Sequence, residues 1–160
     1  MKAQLKVSAD LNEVTDLEPH DDKENPFEYT FRIQCQRCHD IHDRPVTFNR
    51  FEHYEAKGSR GSFNLVFRCK GCQTEHTVAV ERTKRKLTNE DTGKSVPILD
   101  IDSRGLELLE FIPVGAFRCR GAGSPTVFDN VDISENEWYE YDDKAVKEVS
   151  IVGVKWEITG

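Results

Sequence analysis

No stretch of this chain approaches the roughly eighteen apolar residues that a membrane-spanning helix requires, so a bilayer-embedded role is not expected. The opening residues, Met1-Lys2-Ala3-Gln4-Leu5-Lys6-Val7, hold no apolar core and no cleavage-like site, which argues against an export leader. Positive charge is in short supply. With 22 Lys and Arg against 29 Asp and Glu, the net charge is −7, and a nucleic-acid binder would need a basic face to neutralise phosphate. Helix signals are scarce; the one candidate, residues 140–148, amounts to a couple of turns. Internal repeats and low-complexity tracts are missing, as is any nucleophile–base pattern, so no enzyme is expected. The Gly58-Ser59-Arg60-Gly61-Ser62 loop lacks the strand and helix that would make it a phosphate cradle.

What the chain does have is five cysteines, four of them in two pairs: Cys35-Gln36-Arg37-Cys38 and Cys69-Lys70-Gly71-Cys72. Two residues between cysteines let one tight turn aim both sulfurs at a point about 2.3 Å away, and two such turns complete a tetrahedral zinc site. Cys35, Cys38, Cys69 and Cys72 are the expected ligands of one zinc ion. Since four thiolates fill the coordination sphere, the ion is expected to hold structure. Turn amides should donate to the sulfurs, Gly71 is expected to supply a positive φ, and Arg37, Arg68 and Lys70 are placed to offset the charge of the centre. A redox pair would need a Cys-x-x-Cys opening a helix; here each pair ends a strand-like run. His39 and His42 are possible alternative ligands or hydrogen-bond donors to the sulfurs. Thiols kept free for metal fit a reducing compartment, cytoplasm or nucleus.

Period-two alternation marks most of the chain as strand. Leu5, Val7, Ala9 and Leu11 alternate with polar residues, and Phe27, Tyr29, Phe31 and Ile33 lead into Cys35. Val46, Phe48 and Phe51 suggest a strand or turn. Phe63, Leu65 and Phe67 run to Cys69, and residues 76–80 leave the second pair as another strand. Residues 12–26 read as a polar loop, and 82–94 as a linker whose basic cluster (Arg82, Lys84, Arg85, Lys86) is solvated. The stretch from Leu108 to Val114 is an edge or bent strand because Pro113 cannot donate to a ladder. Cys119 is expected to be a small buried apolar group. In the segment Trp138 to Asp143 the aromatics should pack inward with the acids facing out, the alternative being an exposed recognition surface. At the end, Val149 and Ile151 lie on one parity and Val152, Val154, Trp156 and Ile158 on the other, which points to a strand central in its sheet. The expectation is an all-β fold with sandwich-like sheets and a zinc-ribbon-like site. It forms a single unit over 1–160, with a zinc-binding part at about 27–81 and a second part made of about 95–160 together with the N-terminal strand at 3–11.

These residues together resemble the eukaryotic CXXC-motif-containing zinc-binding protein family over nearly the whole chain. The resemblance is carried by the paired cysteines, by Gly58-Ser59-Arg60-Gly61-Ser62, and by Arg104-Gly105-Leu106-Glu107 with Phe111-x-Pro113. It continues in Trp138-x-x-Tyr141-Asp142-Asp143-Lys144-Ala145, with Asp143 standing where Glu would be expected. It implies a mostly β fold around a four-cysteine zinc site in a small intracellular protein, and it implies no enzymatic activity. The functional expectation is a non-catalytic zinc protein acting as a protein-interaction adaptor or chaperone-like factor. It would be monomeric and dock a protein partner, with no membrane role and with a nucleic-acid-associated zinc ribbon as the least favoured reading. The alternative is zinc buffering or transfer.

Overall fold

Twelve antiparallel strands and no helix make up the computed structural model, which describes residues 1–160. They are β1 (Lys2–Asn12), β2 (Val14–Pro19), β3 (Tyr29–Cys35), β4 (Val46–Phe48), β5 (Leu65–Arg68), β6 (Glu75–Arg82), β7 (Val96–Arg104), β8 (Leu106–Ile112), β9 (Phe117–Gly121), β10 (Val127–Val131), β11 (Trp138–Asp142) and β12 (Lys147–Thr159). They form a six-stranded sheet in the order β11-β12-β1-β7-β6-β5 and two three-stranded sheets, β10-β9-β2 and β4-β3-β8. The all-β expectation holds. The proposed helix at 140–148 does not form: its residues are split between β11, a turn and β12.

One apolar core serves all three sheets. Leu5, Val7 and Ala9 of β1 face it, as the alternation requires, with Ile98, Leu99 and Ile101 of β7 beside them. Trp156 of β12 is the meeting point: its ring lies 4.7 Å from Phe111 of β8 and 5.7 Å from Phe117 of β9. Phe31 on β3 lies 5.3 Å from Phe111 with the rings tilted at 55°. Full burial of each such side chain contributes about 1.5–3 kcal/mol, so this aromatic junction does much to hold the small sheets against the large one.

Three sequence readings need correction. Residues 12–26 are not all loop: β2 follows β1 after a turn at Glu13, whose φ is 61°, and Val14 and Leu17 are buried. The register against β9 slips between Thr15 and Glu18, with Asp16 at φ 60°, so the apolar positions fall three apart and hide the strand. Nor is 82–94 a bare linker. Leu87 is fully buried and bridges Leu17, while Arg82 and Lys86 lie 3.7 and 3.1 Å from Glu18 and Arg85 lies 3.8 Å from Asp91. In β11 only Trp138 packs inward as expected, its ring 5.2 Å from Phe128; Tyr139 and Tyr141 are exposed, and Asp142 is buried.

β12 does lie inside its sheet, between β11 and β1, but for another reason than two-sided burial. Asp10 pairs Val152 and Ser8 pairs Lys155, so Ala9 alone on β1 faces both Gly153 and Val154 on β12, with Gly153 at φ +63°. This bulge switches the inward parity from Val149 and Ile151 to Val154, Trp156 and Ile158. β8 is an edge strand ending immediately before Pro113, as read from the sequence.

Candidate metal centre

The two cysteine pairs sit on two different sheets. Cys35 closes β3 in a small sheet, and the Cys69–Cys72 turn joins β5 to β6 in the large one. The turns are built alike. The Cys35 amide donates to Asp40 O and the Cys69 amide to Thr74 O, both at 2.9 Å; the His39 amide donates to Cys35 O and the Gln73 amide to Cys69 O, again at 2.9 Å. In both, the residue after the second cysteine is left-handed, His39 at φ 63° and Gln73 at φ 60°. The positive φ therefore falls on these residues and not on Gly71, correcting the sequence reading. Gly71 matters for space: a Cβ there would lie 3.3 Å from Cys38 Sγ and 3.7 Å from Cys69 Sγ.

The four sulfurs lie within 4.8 Å of one another. Cys35 and Cys72 are 3.7 Å apart, and Cys38 and Cys69 are 3.5 Å apart. A tetrahedron with metal–sulfur bonds of about 2.3 Å has edges of about 3.8 Å, and a disulfide would bring sulfurs to about 2.05 Å. The spacing fits an ion shared by four thiolates. Cys35 and Cys69 are buried, Cys72 is half-buried and Cys38 is exposed, so the centre is open to solvent on one side.

Donors surround the sulfurs. The backbone amides of Asp40 and Thr74 serve Cys38 and Cys72 at equivalent points of the two turns. Arg37 reaches across from the first turn to donate to Thr74 Oγ1 at 2.9 Å, and that hydroxyl lies 3.3 Å from Cys72 Sγ. The Thr74 hydroxyl, then its amide, hold the Cys72 thiol down to about 6. The Asp40 amide pulls Cys38 the same way, but desolvation of its sulfur and the hydrogen bonds shared with the Cys69, Cys35 and Cys72 thiols push it up to about 12. Of the other two bases, Arg68 donates to Gln73 O at 3.2 Å, and Lys70 stands 3.9 Å from Asp43.

Among the histidines it is His76, not His39 or His42, that touches a sulfur. Buried on β6, its Nε2 lies 3.1 Å from Cys35 Sγ. Burial, then Arg37, depress its pKa, so the ring is neutral and an Nε2–H can donate to the thiolate. Gly105, at φ +86°, makes room for it; a Cβ there would lie 2.0 Å from His76 Nδ1. The Gly105 carbonyl also accepts from the Gln36 amide at 2.9 Å, tying the start of β8 to the first turn. A signal was available, since Arg104-Gly105-Leu106 stood out without a role and His76 lies four residues past Cys72. His42 stacks edge-on against Phe67 at 4.8 Å and His39 is exposed; neither joins the sulfur cluster. Cys119 lies apart in the core, its thiol pushed up to about 12 by burial.

Three antiparallel sheets, two of them brought together by matched Cys-x-x-Cys turns, define an all-β protein with a four-cysteine metal centre. The chain belongs to the family described as CXXC motif containing zinc binding protein, eukaryotic, which matches residues 4–159. A UPF0587 protein of Schizosaccharomyces pombe is 37% identical over 158 residues, covering 99% of this chain and 98% of that one. The CXXC motif containing zinc binding protein of Bos taurus is 32% identical over 154 residues, covering 96% and 94%. The crystal structure of C1orf123 superposes with a TM-score of 0.90 at 29% identity, covering 99% of both chains. A hypothetical protein from Plasmodium falciparum shares the fold, with a TM-score of 0.86 at 20% identity and 99% coverage of both chains.

Proposed function

We propose that Cys35, Cys38, Cys69 and Cys72 hold one zinc ion per chain as a structural clamp, and that the chain is a non-catalytic adaptor or chaperone-like factor that docks a protein partner. The observation that carries the clamp is the sulfur geometry: four thiols from two sheets, spaced for a tetrahedron and already ringed by donors. Four protein ligands leave no coordination position for a substrate. His76 is occupied with Cys35, and no histidine–carboxylate–nucleophile set accompanies it. A reducing compartment, cytoplasm or nucleus, keeps such thiols available, and the acidic balance disfavours nucleic acid. The expected species is a monomer.

Elemental analysis of the purified protein should find one zinc per chain, and affinity capture at native abundance should recover a reproducible partner. A metal-free preparation that is fully folded would sink the clamp, and an absence of any partner would sink the adaptor. Zinc transfer is the second reading, favoured by the exposure of Cys38. Competition with graded chelators separates the two: zinc lost quickly with the fold intact supports transfer, whereas loss coupled to unfolding supports the clamp.

A further inference from the structure

The free sheet edges differ. β2 and β10 carry register shifts, β2 ends in Pro19, β8 stops at Pro113, β4 has three residues, and β5 ends in Arg68. Prolines, bulges, brevity and cations are the devices that stop an edge from pairing with another chain. β11 has no proline, bulge or cation. Trp138–Asp142 runs in unbroken register along β12, and no strand lies on its other side.

The side chains there add a second feature. Tyr139 is 64% exposed and Tyr141 45% exposed, large values for aromatic rings on a strand. Tyr139 stands opposite Ser150 and Tyr141 opposite Glu148, so both rings and that carboxylate share one face. The Tyr141 amide donates to Glu140 Oε1 at 3.0 Å, a cap on the strand's own backbone. Residues 135–148 contain six acids and two lysines, a net −4 within a chain of −7. Lys147 is already 3.6 Å from Glu13. A second copy of the same edge would bring Glu137 and Glu140 against like charges, so self-pairing is disfavoured.

We propose that the free edge of β11 accepts an extended, Lys/Arg-rich segment of a partner protein as a seventh strand of the large sheet. This rests on the reading that the chain works by docking a protein. Main-chain hydrogen bonds to the edge supply affinity. Cations of the added strand over Tyr139 and Tyr141, and beside Glu140 and Glu148, supply selectivity. Glu140 guards the edge in the free protein by holding the Tyr141 amide. On binding it releases that amide and pairs with an incoming cation.

The test titrates the full-length zinc-loaded protein with three fluorescent peptides: an alternating Lys/Val/Thr strand former, the same peptide interrupted by prolines, and one with Glu replacing Lys. The first should bind, more weakly as salt is raised, and protect the Tyr139 and Tyr141 region from hydrogen exchange. The other two should bind at least about tenfold more weakly. Glu140→Lys and the double variant Tyr139→Ser with Tyr141→Ser should each weaken the first peptide about tenfold, with zinc content and thermal midpoint as in the wild type. Equal binding of the proline peptide overturns the proposal, as does undiminished binding by Glu140→Lys or no saturable binding below about 1 mM. A dimer in sedimentation that excludes the peptide also overturns it and assigns the edge to a second copy. Partner capture with wild type and Glu140→Lys keeps the two readings apart. A partner retained by the variant removes only the β11 site, and no partner with either protein removes the docking reading itself.

Discussion

Gly105 and His76 illustrate how closely the metal centre depends on residues that are not ligands. The missing Cβ of Gly105 is what allows the imidazole to reach Cys35. His76→Ala should therefore weaken metal affinity about 10–100-fold, the usual effect of losing a hydrogen bond to a ligand, and Gly105→Ala should do the same by displacing the ring. Chelator competition on folded protein reads both. Replacing any one of Cys35, Cys38, Cys69 or Cys72 by Ser should be far more severe. Metal binding in such sites contributes about 10–16 kcal/mol, against a whole-domain stability of about 5–15 kcal/mol. Loss of zinc by elemental analysis and loss of near-UV dichroism are the expected outcomes. Cys119→Ser should keep the metal, because that thiol lies in the core away from the cluster. The ligand candidates were legible because Cys-x-x-Cys spacing alone dictates convergent sulfurs. His76 was not, because its approach depends on β6 and β8 meeting in space.

At the scale of elements, Asp142 fastens two connections at once. Its carboxylate accepts from the Ser124 hydroxyl at 2.5 Å and the Thr126 hydroxyl at 2.6 Å in the β9–β10 loop, and from the Lys144 and Ala145 amides at 3.1 and 3.2 Å in the β11–β12 turn. The two hydroxyls, with the amides behind them, lower its pKa from 3.8 to about 2. A folded-state pKa below the unfolded one gives stability that is complete above about pH 4 and is lost as pH falls through about 2. Asp142→Asn should accordingly lower the thermal midpoint at neutral pH, and the gap from wild type should narrow between about pH 4 and pH 2 in calorimetry. Sequence alternation revealed β1 because it presents one regular inward face, and β3 because Tyr29, Phe31, Ile33 and Cys35 are buried on one parity. It missed β2, where the slip at Asp16 puts Val14 and Leu17 out of phase. It misread β11 because a buried carboxylate looks like a surface one until its donors, distant along the chain, are brought to it.

Across the whole molecule, the paired turns lock the β4-β3-β8 sheet to the β5–β6 end of the large sheet. The opposite region, where β1 lies between β12 and β7, is held by the aliphatic and aromatic core. Chelation should therefore loosen the molecule unevenly. In hydrogen exchange, protection should fall first in the cysteine turns and the adjoining ends of β3, β5 and β6, and persist longest in β1 and β12. Uniform loss throughout would mean that the metal governs the entire core. The fold class could be read from the sequence because nearly every segment alternates. The joining of sheets could not, since it depends on which distant strands share an edge.

The irregularity in β12 has a further implication for chain length. Because two residues there face one on β1, Gly153 is supernumerary, and excising it would leave Val149, Ile151, Val154, Trp156 and Ile158 in strict alternation, all still pointing inward. Most single-residue deletions in a central strand invert every side chain beyond them. This one would preserve the pattern and remove only the local coiling that the extra residue imposes, making position 153 the place in the strand where a shortened homologue could still fold.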